Sequence, residues 1–143
     1  MVSKQLSVFI ENRQGSLGNV LSVLRSSNVN ILSLSLADTT EYGLLRLIVN
    51  NPQTGKEALT QSGFSTILTD VLIVKIAHEP GSLQKILEII SANDINIEYM
   101  YGLSVGGDGA SVVLKASNLD KAIEVFKANG IETFTEKDLS ILD

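Results

Sequence analysis

Leu6, Val8 and Ile10 alternate with Ser7 and Phe9, a two-residue period that predicts a half-buried strand over residues 4–11. After Gly15 the spacing changes, and Leu17, Val20, Leu21 and Leu24 recur at helical intervals, predicting a helix that ends near Ser27 and Asn28. Ser16 stands where its hydroxyl could help satisfy the open N–H groups of that helix's first turn. Alternation resumes over residues 30–36, and a turn within residues 38–43 leads into an apolar return strand over residues 44–50. Asn51 before Pro52 reads as a cap and first turn for a helix over residues 53–62, weakened by Gly55 and closed by Gly63. Residues 64–68 supply a fourth strand.

The second half runs through the same order: strand 71–77, helix 82–93, strand 96–104, a glycine-rich turn at 106–109, strand 110–116, helix 119–129 ended by Gly130, and strand 131–135 before a short tail. At the offset that carries Gly15 onto Gly81, Ile10, Ser16, Leu17, Leu21, Asn30, Ile31 and Gly43 meet identical residues at Ile76, Ser82, Leu83, Leu87, Asn96, Ile97 and Gly109, with Leu21 matching Leu87. Repetition of a whole supersecondary unit argues for two copies of one fold. The order β-α-β-β-α-β implies an α+β protein of two ferredoxin-like units, residues 1–69 and 70–143, each an antiparallel sheet with its helices on one face. The two sheets are expected side by side as one eight-stranded sheet. One point conflicts: Leu32, Leu34 and Leu36 share a face in the first copy, whereas Ile97, Tyr99, Tyr101 and Leu103 fall on the other in the second. A single-residue slip turns side chains to the opposite face, so either a bulge is present or both sheet faces are partly covered. Ser33 and Ser35 are expected to face solvent.

Composition narrows the function classes. Of 143 residues 44% are hydrophobic and 19% charged, which suits two small cores and excludes extensive disorder. The net charge of −5 argues against a nucleic-acid partner, which needs a clustered cationic surface. With no cysteine, neither disulfides nor thiolate metal sites are available. No apolar run is long enough for a membrane span, and the start lacks a signal-peptide core, so a cytoplasmic location is expected. Nucleophilic catalysis finds no cysteine and no partners for the single His78. Neither a Walker pattern nor a GxGxxG turn appears, so no enzyme activity and no cofactor are expected.

The stretch Asn12-Arg13-Gln14-Gly15-Ser16-Leu17 with Asn30-Ile31 returns as His78-Glu79-Pro80-Gly81-Ser82-Leu83 with Asn96-Ile97. In this doubled setting the chain resembles ACT domains, the small amino-acid-sensing modules of metabolic enzymes, over essentially its whole length. The resemblance implies a free amino acid bound at the interface between two modules, with the glycine turn of one facing the strand-two region of the other. Carried across by position, Asn12 and Asn30 would contact the ligand's polar head, and Gly15, Ser16, Leu17 and Ile31 would line it. His78, Gly81, Ser82, Leu83, Asn96 and Ile97 hold the matching places in the second copy. Gln14 replaces a customary proline and His78 a customary amide, so the two turns need not bind equally. Backbone N–H groups at a helix start suit a carboxylate, and an asparagine carbonyl can accept from an ammonium.

Simpler readings stand beside these. The glycines could serve tight turns alone, the asparagines could bond local backbone, His78 could be a surface residue, and Tyr99 and Tyr101 could pack at an interface. The resemblance further implies a regulatory protein that passes a signal to a partner biosynthetic enzyme, similar to stand-alone ACT proteins and distantly to the small subunits of acetolactate synthase. A homo-oligomer is expected, and small units with apolar residues on both sheet faces point to a dimer. The other function class is an interaction or assembly module with no metabolite. Branched-chain, aromatic, serine-like and histidine-like ligands all remain open.

Overall fold

The computed structural model describes residues 2–11, 13–38, 42–103 and 110–140. The expected turns at residues 38–43 and 106–109 lie wholly or partly outside them, as does Asn12. The elements in chain order are β1 (Ser3–Glu11), α1 (Ser16–Ser26), β2 (Ile31–Asp38), β3 (Tyr42–Val49), α2 (Pro52–Gln61), β4 (Ser65–Ile76), α3 (Ser82–Ala92), β5 (Ile97–Leu103), β6 (Ala110–Ala116), α4 (Leu119–Ala128) and α5 (Glu136–Ser140). They fall into two compact units, Lys4–Thr69 with Leu139 and Asp70–Asp138 with Ser3.

In the first unit β3 pairs antiparallel with both β1 and β2. The register sets Leu6 opposite Leu47 and Val8 opposite Leu45, so the alternating residues of neighbouring strands share one face. Val20 and Leu24 of α1 and Leu59 of α2 close over that face to form a core without solvent exposure. Asn51 caps α2 by accepting from the Thr54 N–H at 3.2 Å, with Pro52 in the first turn as its pattern predicts. Gly55 has a reason that helix propensity hides: a Cβ there would meet Leu6 Cδ2 at 3.1 Å and Leu24 Cδ2 at 3.4 Å. Its absence lets α2 approach β1 and α1 closely.

The second unit repeats the plan with β6 between β4 and β5. Leu72, Val74 and Leu114 pack there against Ile86 and Ile90 of α3 and Ala122 and Phe126 of α4. These are the helix-on-one-face α+β units expected.

The strand count is corrected. Six strands are present among the described residues rather than the eight of a side-by-side pair. The strands expected at 64–68 and 71–77 are one twelve-residue strand, β4. No glycine or proline interrupts the run from Thr66 through Thr69 and Asp70 to Ile76, so nothing forces the chain to turn. The strand expected at 131–135 is reduced to a single bridge, Val74 to Thr133, with backbone bonds from Lys75 N–H to Glu132 and from Phe134 N–H to Ile73 on either side.

Both answers to the facing conflict hold. β2 slips register between Ile31 and Ser33, and β5 slips at the matching place between Ile97 and Tyr99. Beyond the bulge Leu34 and Leu36 lie opposite Leu47 and Leu45 on the helix side, yet each is 47% exposed. Ser33 and Ser35, expected in solvent, are half-buried on the far face, where Gln5, Ser7 and Ile48 are buried. In the second unit Ile73, Val113 and Leu103 are buried on that far face, with Tyr99 and Tyr101 half-buried beside them.

Candidate functional site

Each unit joins its first strand to its first helix through a glycine in the left-handed region, Gly15 at φ 89° and Gly81 at φ 87°. A Cβ at either would meet nothing within 4 Å, so the backbone angle rather than crowding calls for glycine. The two turns share one hydrogen-bond scheme. Arg13 N–H donates to the Glu11 carbonyl at 2.8 Å and Ser16 N–H to the Arg13 carbonyl at 3.3 Å. Glu79 N–H donates to Ala77 at 2.9 Å and Ser82 N–H to Glu79 at 3.3 Å.

Gly15 and Gly81 are themselves the N-caps, and no side chain caps either helix. The capping role expected of Ser16 is therefore not filled; it is the first helical residue and is buried. An α-helix leaves its earliest N–H groups open, and here these include those of Leu17 and Leu83, one residue beyond the serines. Charge separates the turns. The first carries an Arg13 to Glu11 ion pair at 3.1 Å. At the second the matching positions are Glu79 and Ala77, and Glu79 lines a concavity of about 510 Å³ with exposed His78, Pro80 and Gly81 and half-buried Ser82 and Leu83.

The strand-two entrances are built differently from the local reading. Asn30 N–H donates to Asn50 Oδ1 at 2.9 Å, and Asn50 N–H returns to the Asn30 carbonyl at 3.1 Å. In the second unit Asn96 N–H donates to Ser117 Oγ at 3.3 Å, and Ser117 N–H to the Asn96 carbonyl at 2.9 Å. The local side-chain bond is thus made by Asn50 and Ser117, and Asn30 and Asn96 keep exposed side chains. Ile31 and Ile97 are half-buried and pack against their unit's core. Asn50 could not be found from the sequence because its partner is 20 residues away and reached only through strand pairing. Arg25, Asn28, Asn30 and Asn50 together rim a concavity of about 500 Å³.

The pieces fall into two groups. Glu11, the last residue of β1, pairs with Tyr42 at the start of β3, which puts the Gly15 turn at that end of the sheet. Asn30 meets Asn50 just beyond Val49 at the other end. Eight residues of β3 separate them, roughly 23 Å at the rise of an extended strand. The same holds in the second unit, where Ile76 pairs with Ala110 and Asn96 meets Ser117 beyond Ala116. Within one unit, turn and asparagine cannot touch the same small molecule.

Among the described residues no group of acidic, histidine or cysteine side chains is placed to hold a metal ion, and no helix is long and apolar enough to cross a membrane.

A family model described as an ACT domain pair matches residues 1–142. No curated protein matches the chain. Among solved structures, protein BT0572 from Bacteroides thetaiotaomicron is 39% identical over 99% of this chain and 98% of its own, with a TM-score of 0.93. The ligand-free regulatory subunit of aspartate kinase from Thermus thermophilus is 16% identical, with 90% of this chain and 94% of that one covered and a TM-score of 0.63. The corresponding subunit from Thermus flavus is 17% identical over 90% and 94%, with a TM-score of 0.58; at these identities the likeness is one of fold.

Proposed function

Because the chain belongs to the ACT domain pair family, we propose that it is a regulatory protein that binds a small free amino acid between two ACT modules and passes the signal to a partner metabolic enzyme. The observation that carries this reading is the separation of the two halves of the candidate site. A ligand that uses both the N–H groups after Gly15 and the side chain of Asn30 must bridge two modules, one contributed by a second copy of the chain. Binding then stabilises the assembled form over the separated one, which is the differential affinity that any ligand-driven shift requires. The solved regulatory subunits of aspartate kinase support a role beside a biosynthetic enzyme.

Calorimetric titration of the full chain with each of the twenty amino acids tests the reading. Saturable binding by at least one of them is expected, together with a shift toward the dimer in sedimentation. Silence from all twenty at millimolar concentration would sink it and leave an assembly module without a metabolite.

A further inference from the structure

The two strand-two entrances have the same backbone and different chemistry. At the first, α1 carries Arg25 in its last turn, and Asn28 follows in the left-handed region at φ 57°. At the second, α3 carries Ser91 in place of Arg25, and Asp94 takes the left-handed position at φ 56°. Ser117 stands for Asn50. The first opening is therefore cationic and rich in amides, while the positions of the second copy that match its lining bring a carboxylate and no cation.

The first opening is also built to donate. A backbone N–H can only donate, so the atom that Asn50 turns toward Asn30 must be its oxygen, which directs the Asn50 NH₂ away from that bond. The Arg25 guanidinium makes no ion pair among the described residues. No Asp or Glu lines this concavity, whose floor is apolar, with Leu21, Val29 and Ile31. An apolar floor under a guanidinium and amide donors fits a short aliphatic stem ending in an anionic acceptor. A cationic side chain would find no counter-charge there, and burying it unpaired is costly.

We propose that this concavity receives the side chain of an acidic amino acid, with Arg25 pairing the side-chain carboxylate and the Asn50 amide donating beside it. The inference rests on the reading that the Asn30 end of the first unit forms half of an amino-acid site, and it makes Arg25 the residue that sets which amino acid is taken. It also makes the second entrance silent, since Asp94 repels the same carboxylate, so one acidic ligand binds per chain.

The test is titration of the full chain with L-glutamate, L-aspartate, L-glutamine and L-lysine, repeated with Arg25→Met and Arg25→Lys. One acidic ligand per chain is expected, bound more tightly than its amide by about tenfold or more, as befits a charge-assisted bond. Arg25→Met should erase that preference and Arg25→Lys should restore part of it, with the preference shrinking as salt is added. Were Arg25 merely favourable at the negative end of α1, Arg25→Met would lower the melting temperature and leave the order of ligands unchanged, and that result overturns the proposal. Tightest binding of a neutral or cationic amino acid also overturns it while leaving the regulatory function standing. Silence from all twenty amino acids removes both.

Discussion

Gly15 and Gly81 hold φ near 90°, a backbone demand that glycine alone meets cheaply. Gly81→Ala is expected to cost about 1–2 kcal/mol in urea unfolding, the penalty of forcing an alanine into the left-handed region. Gly102→Ala, at an open position with ordinary φ, serves as the control. Asp138 stands three residues after Thr135, the spacing of a capping box, a signal that goes unused where residues 131–135 are read as a strand with a tail after it. It accepts from the Thr135 N–H at 2.8 Å while its own N–H donates to Thr135 Oγ1 at 3.2 Å, a reciprocal cap at the start of α5. The bond from the Thr135 backbone, followed by that from its hydroxyl, holds the Asp138 carboxyl below its ordinary value of 3.8. Since the folded value is the lower one, the contribution to stability is complete above the unfolded value and disappears as pH falls through the folded one. An NMR titration should place the Asp138 midpoint below that of an unstructured aspartate, and Asp138→Asn should flatten the acid limb of the stability profile.

At the scale of elements, periodicity found α1 and α3 because a single apolar stripe meets a single sheet face. It failed where the deciding fact was tertiary. Gly55 looked like a weak point in α2, yet the position is buried and its missing side chain lets the helix seat against Leu6 and Leu24. Gly55→Val should destabilise the first unit by about 1–3 kcal/mol in denaturant unfolding, since a close-packed core resists added methyl groups. The edge strand β2 misled in a second way. Alternation puts its leucines on one face, and Leu34 and Leu36 do lie on the helix side, yet both stay exposed there. Periodicity gives the side of a sheet and not what covers that side.

At the scale of the whole molecule, the doubled plan was legible because identical residues, Gly15 and Gly81, Asn30 and Asn96 among them, recur at one offset. The inequality of the two copies was only partly so. Gln14 against Pro80 and Asn12 against His78 were visible, whereas Arg25 against Ser91 gained meaning only once Asn50 was seen to complete the rim. If the amino acid identified by titration binds the native chain alone, at one hundred times its dissociation constant it should stabilise that chain by about 2.7 kcal/mol. The melting temperature would rise accordingly.

The twelve-residue β4 takes on another meaning in this light. A gene duplicated in tandem ordinarily leaves a spacer that later drifts freely, because nothing depends on its sequence. Here the seam between the copies is hydrogen-bonded structure, with Val71 and Leu72 wholly buried immediately after it. Insertions, deletions and protease cuts that a linker would absorb fall instead on a strand. The joint is accordingly held to the demands of a strand and not to those of a linker.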